Sequence, residues 1–484
     1  MAARFNKHRS VLSRTGVPGR SRAAALALAL TGLLAACGGP TDQVSQPVVS
    51  GFVGEVAADE PRAALVGRDI LAKGGNAADA AAALGLALSV SLPSRASLGG
   101  GGACVAWRPG EAAGQAFVFL AKGASESGAG ADRPASVPLL ARGLFLMQMR
   151  YGSVDFADLI VPARNMASHG VPVGGLLAAD LAAVQSSLLA DDKVRAVFGN
   201  DTGHVLVTDD ILVQTRLAGA LERLRIAGVG DLYTGALAQT FVEGAQAAGG
   251  GLSPADLRND VPVAEQPLTV HANGVDISFL PPPADGGLGM AASYLAGGRG
   301  GEGAVAAWRA RQAGRGGSVS VADAQALLNS GGLSGGGALP ALPASTTFVV
   351  TDRQGQTVAC ALSMNNLFGT GRIAGSTGIV LGASPAQRPQ PLLAAGIAHQ
   401  GREEFRAAAA ASGQNVAADT AAIAMRAALA GVRPRVTNGN GRANFVSCPG
   451  GISSGGGRCF GWTDPRGSGL AVGYTPVVHV TPGP

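Results

Sequence analysis

LPASTTFVVTDRQGQTVACALSMNNLFGTG, residues 342 to 371, decides how the chain is to be read. Apolar and polar residues alternate in TTFVVTD, a turn falls at Gln354-Gly355, and TVACALSM leads back, which predicts an antiparallel β-hairpin. With the turn centred there, residues whose numbers add to about 709 face one another, so Ser345 lies opposite Ser363 and Met364. Taken alone, Ser345-Thr346-Thr347 at the head of the first strand reads as a solvated loop edge. The facing hydroxyls suggest something else. A serine hydroxyl is a weak nucleophile unless a base stands beside it, and a free α-amine on the same residue, with a pKa near 8, can be that base. Such an amine requires cleavage between Ala344 and Ser345, and the loose stretch SGGLSGGGALPALP just upstream leaves room for one.

Outside the hairpin, 484 residues suffice for one large or two ordinary domains. The 74 glycines and only 4% aromatics, against 47% hydrophobic residues, point to a tightly packed Ala/Gly-rich globule. The net charge of +5 is mostly local: Arg4, Lys7, Arg9, Arg14, Arg20 and Arg22 precede residue 23. No nucleic-acid surface is inferred. This basic stretch runs into AAALALALTGLLAAC, which suits a signal peptide better than a membrane helix. Leu34-Ala35-Ala36-Cys37 is similar to a bacterial lipobox, so residues 1–36 are expected to be a lipoprotein signal peptide, with Cys37 lipid-bearing and residues 37–49 a tether. The expected location is the cell envelope, at an outer membrane facing the periplasm.

From residue 50 onward, Asp59 can cap a helix that has Pro61 in its first turn. NAADAAAALGLALSV is apolar nearly all round and should be a buried helix. The run Gly99 to Gly102 before a strand marks close backbone approach, because no Lys-Ser/Thr follows to make a phosphate loop. Residues 294–344 are Gly/Ala-rich and end in a flexible linker, and a terminal strand pair is expected near CFGWTDPRGSGLAVGY. Cys104 and Cys360 read as small buried residues, whereas Cys448 and Cys459 are either a loop-closing disulfide or two free thiols. No histidine pair has metal-ligand spacing, and neither metal nor cofactor is expected. Gly451-Ile-Ser453-Ser-Gly455 matches G-x-S-x-G but lacks the strand and helix that give that motif meaning.

Several landmarks in order resemble the γ-glutamyltranspeptidases, a branch of the N-terminal-nucleophile hydrolases. They are ILAKGGNAADAAAALGLALSV with LGGGG, the block from ASVPLLARG to ASHGVPV, LSPADLRND, PPPADGG, the hairpin with NNLFGTG, GSTGIVL and TDPRGSGLAVGY. The resemblance covers residues 50 to 475. It implies an α/β fold, an αββα sandwich, made as one chain and cut by its own nucleophile into a large part (50–344) and a small part (345–484). It implies a small-molecule γ-glutamyl or related amide substrate. Ser345 takes the place of the family's nucleophilic threonine, with Thr346 as the alternative one residue on, and Ser363 that of the threonine bonded to it. Asn365, Ser384, Gln387 and Gly413 fall at substrate-binding positions. The family's carboxylate-gripping arginine has no counterpart: Leu120 stands near its place, and Lys122 is the nearest cation. A degenerate member acting as an envelope scaffold or binding protein is the alternative reading.

Overall fold

The computed structural model describes residues 51–124, 131–317, 320–333, 336–386, 389–435, 439–452 and 459–475. Cys37, Gln387 and Ser453 lie outside these residues. Among the described residues no helix is long and apolar enough to cross a membrane.

Strands in chain order are β1 (Gly51–Ala58), β2 (Gly101–Trp107), β3 (Gln115–Phe119), β4 (Val171–Pro172), β5 (Ile211–Leu212), β6 (Val263–Glu265), β7 (Leu268–Ala272), β8 (Val275–Phe279), β9 (Thr346–Asp352), β10 (Thr357–Ser363), β11 (Ala394–Gln400), β12 (Glu404–Ser412), β13 (Arg442–Ser447), β14 (Phe460–Thr463) and β15 (Leu470–Thr475). One sheet runs β15-β1-β9-β10-β2-β3-β6, the other β14-β13-β12-β11-β8-β7, and β4 and β5 form a short ribbon.

Side-chain alternation builds the layers. Ala103, Val105 and Trp107 of β2 and Val349 of β9 meet Ile397, Ala408 and Val446 of the second sheet. Their neighbours Cys104, Ala106, Phe348 and Val350 face the other way, into a core shared with helices Pro61–Ala72, Ala77–Ser91 and Leu140–Tyr151. On the far side, Ala407, Ala409 and Ala411 of β12 pack against helices Gly286–Leu295 and Ala417–Leu429. Helix, sheet, sheet, helix is the resulting order, an αββα sandwich. Alanine on both faces of β12 lets the layers close tightly, each buried methyl contributing about 0.8 kcal/mol. Helix Ala77–Ser91 is buried along its whole length, and Asn76 with Asp79 closes a capping box at its start.

Some expectations need correction. The N-cap of helix Pro61–Ala72 is Glu60, whose carboxylate accepts from the Ala63 N–H at 2.8 Å, and Asp59 is turned elsewhere. Part of the Gly/Ala-rich region is helical, at Gly301–Gly314 and Val321–Asn329; the fully buried Trp308 and a Ser320/Asp323 capping box outweigh the glycine content. The terminal strands β14 and β15 do not pair with each other but sit in different sheets. Cys104 and Cys360, buried as expected, are also joined by a disulfide, because β2 and β10 place them directly opposite. Cys448 and Cys459 are joined as well.

Candidate active site

The hairpin forms with Thr351 opposite Thr357 and Thr346 opposite Leu362, a register one residue tighter than the sequence suggested. Continuing it by one pair brings Ser345 to Ser363. The Ser363 hydroxyl donates to the carbonyl oxygen of Ala344 at 2.8 Å and accepts from the Asn365 N–H at 3.0 Å. Ser345 is 1% exposed, and its Oγ is buried without a hydrogen-bond partner. A buried hydroxyl forgoes about 1–3 kcal/mol when left unpaired, so an orphan beside a polarised carbonyl is a feature to explain. The glycine run makes room for this geometry. A Cβ on Gly100 would come 2.7 Å from both Met364 Sδ and Ser363 O, and one on Gly101 would come 2.2 Å from Phe119 O.

A carboxylate and a guanidinium brace the residues after Ala344. Asp59 Oδ2 accepts from Thr346 Oγ1 and from the Thr347 N–H, both at 3.0 Å, and Oδ1 accepts from Asn444 Nδ2 at 2.8 Å. The same Asn444 amide donates to Thr347 O and Oγ1. Burial pushes the Asp59 carboxyl above its ordinary value, opposed by these hydrogen bonds and by the charge of Arg95. Arg95 grips Asp180 through Nε and Nη2 at 2.7 and 2.8 Å and donates from Nη1 to Ser345 O at 3.1 Å. Neither Asp59 nor Arg95 emerges from the sequence reading. Asp59 satisfies a helix-cap pattern, and Arg95 lies in a PSRAS loop without local signal.

A cavity of about 360 Å³ opens in front of Ala344, lined by Asp59, Arg95, Gly413, Gln414, Arg442 and Arg466. Gln414 Nε2 holds Leu342 O at 2.9 Å, fixing the chain that leads into Ala344. Ser384 lies in a separate cavity of about 370 Å³, with Arg133, Ser187, Asn366 and Thr370. Helix Gly175–Leu188 lines both, the first with Leu176 and Ala179, the second with Val184, Ser187 and Leu188. The predicted residues therefore divide. Ser345, Ser363 and Gly413 gather around the Ala344–Ser345 bond, while Asn365, buried at φ 57°, donates from Nδ2 to Ala383 O and braces the loop carrying Ser384. Lys122 is half exposed and paired with Asp260 at 3.3 Å.

Residues 63–296 match the family model described as Gamma-glutamyltranspeptidase. The chain is 31% identical over 251 residues to the glutathione hydrolase proenzyme of Escherichia coli (strain K12), covering 49% of this chain and 43% of that protein. It is 30% identical over 260 residues to Scoloptoxin SSD14 of Scolopendra dehaani, covering 51% and 45%. The matched stretch thus spans less than half the length of these curated relatives. Among solved structures, a cephalosporin acylase from Bacillus halodurans superposes with a TM-score of 0.71 at 19% identity, over 91% of this chain and 99% of that one, a likeness of fold. By sequence motif and family match, residues 63–296 of the chain are related to the gamma-glutamyltranspeptidases.

Proposed function

We propose that the chain is a self-cleaving acyl-transfer enzyme or hydrolase of γ-glutamyl or related amides, with Ser345 as nucleophile. The observation that carries this reading is the pairing of an unpartnered Ser345 Oγ with a neighbouring carbonyl, that of Ala344, already held by the Ser363 hydroxyl. Attack of Oγ on the Ala344 carbonyl carbon replaces the C–N bond by an ester, and the hydroxyl proton ends on the released amine. Water then hydrolyses the ester. Ser363 donates to the oxygen that becomes the oxyanion. The freed α-amine of Ser345 next serves as base for its own hydroxyl against the substrate amide, giving an acyl-enzyme. Thr346 is the weaker nucleophile candidate, since its hydroxyl is already committed to Asp59.

The charges at the cavity bear on the acyl group. Arg442 presents positive charge at its wall, Arg95 and Arg466 are already paired with Asp180 and Asp464, and Asp59, the carboxylate among the described lining residues, already accepts hydrogen bonds on both oxygens. A carboxylate-bearing acyl group fits such a wall better than one that also carries an ammonium, because a desolvated cation without a partner costs several kcal/mol. We expect a des-amino dicarboxylic monoamide to turn over faster than the γ-glutamyl anilide. The same departures favour a second reading, a degenerate scaffold: Lys122 is spent on Asp260 and Leu120 is apolar.

Mass spectrometry of the purified protein beside Ser345→Ala separates the two readings. Fragments meeting at Ala344 and Ser345 in the wild type alone support the enzyme, and an intact chain in both supports the scaffold. Two buried disulfides support export to an oxidising compartment. Labelling by a fatty acid that disappears in Cys37→Ala tests the lipid anchor.

A further inference from the structure

Cleavage between Ala344 and Ser345 would leave Cys104 on the N-terminal fragment and Cys360 on the C-terminal one, fifteen residues (360 − 345) past the new amine. The other disulfide, Cys448 to Cys459, lies wholly within the C-terminal fragment and cannot join the two. Resting on the cleavage reading above, we propose that Cys104–Cys360 is a covalent tether that keeps the two processed fragments one molecule.

The location suits that task. Cys104 on β2 and Cys360 on β10 are directly opposite at a seam where strands of the two fragments pair, in the register that also sets Gly101 opposite Ser363. Both cysteines are fully buried between the sheet and helix Ala77–Ser91, out of reach of reductant while the fold is intact. Closure of the bond removes two protons and two electrons from the thiols, passed to a disulfide-class oxidant by thiol–disulfide exchange. It precedes burial, and hence precedes the cut, which consumes only a water.

In the folded state the fragments are held regardless, by β1 on β9 and by β2 on β10. The tether matters when they unfold. Untethered fragments separate and must meet again by diffusion. Tethered ones face each other at an effective concentration in the millimolar range, whatever the dilution.

The test is a denaturing gel with and without thiol, run on the wild type, Cys104→Ser/Cys360→Ser and Cys448→Ser/Cys459→Ser. The expected result is one band without thiol and two with it for the wild type and the second variant, and two bands in both lanes for the first. Two wild-type bands without thiol overturn the tether and leave the cleavage reading intact. One band even with thiol overturns the cleavage reading; a protease site replacing the largely exposed residues 337–341, of which Leu339 is half-buried, in Ser345→Ala then makes the cut independently, and fragments that part without thiol sink the tether on their own. Should the double variant fail to fold, non-reduced peptide mapping of the wild type must recover a Cys104–Cys360 peptide. Refolding yield from urea should be unchanged over a tenfold dilution for the wild type and fall severalfold once thiol is present.

Discussion

Removing the Ser363 hydroxyl is the sharpest probe of the proposed chemistry. In the uncut chain that hydroxyl donates to Ala344 O at 2.8 Å, the atom that gains negative charge as Ser345 attacks. One preorganised donor at a developing oxyanion contributes about 3 kcal/mol, so Ser363→Ala should slow self-cleavage by roughly 100- to 1000-fold. The same change also strips the Asn365 N–H of its acceptor, at a stability cost of about 1–3 kcal/mol. The two effects are separable. The melting temperature reports the second, whereas the first is read by following the appearance of the new Ser345 N-terminus by mass spectrometry after cell-free synthesis. Ser363→Thr keeps the hydroxyl and should restore the rate to within about tenfold, which a merely structural role for the serine does not require. Cleavage of Ser363→Ala at the wild-type rate, or a threonine variant as slow as alanine, would refute the reasoning.

Other outcomes follow from named contacts. Asp59→Ala orphans the Thr347 N–H and frees Thr346 Oγ1 while Asn444 keeps its contacts to Thr347, so urea unfolding should show a loss of about 2–4 kcal/mol. Glu55, whose Oε1 accepts from the Gly461 N–H across the two sheets, is pushed up by burial to about 7. A carboxyl raised in the folded state stabilises fully below its unfolded value and loses that contribution as pH rises through the folded one. Stability should therefore fall between about pH 4.5 and 7, by up to about 3 kcal/mol, and Glu55→Gln should flatten the curve measured by thermal melts. Gly101→Ala drives a methyl into Phe119 O at 2.2 Å and should abolish soluble expression or lower the melting temperature by many degrees. Arg442→Ala should raise KM for a carboxylate-bearing amide severalfold while leaving that for its uncharged analogue unchanged.

What could be read from the sequence follows the range of the interactions. The hairpin from Thr346 to Ser363 announces itself because a period of two and a Gly355 turn are local, and register then sets Ser345 near Ser363 within one residue. The glycine run is legible for the same reason. Asp59 is not, since a carboxylate before Pro61 satisfies helix-cap logic, and only the alignment of β1 beside β9 sends it to Thr346 while Glu60 takes the cap. Arg95 reaches its place through Asp180, 85 residues away, and the Cys104–Cys360 bond spans 256 residues, distances at which spacing says nothing. Helix Gly301–Gly314 was hidden by composition, as its buried Trp308 and Val305 earn their value only against other elements.

The order of strands in the first sheet has a consequence for timing. β9 and β10 lie between β1 and β2, so the residues around Ala344 and Ser345 converge only once strands from the first 107 residues have docked on a hairpin more than 200 residues further along the chain. If the chain cuts itself at that bond as proposed, a cut molecule has passed an inspection of its own assembly. The fraction of intact polypeptide in a preparation would then count the molecules that never reached the native state.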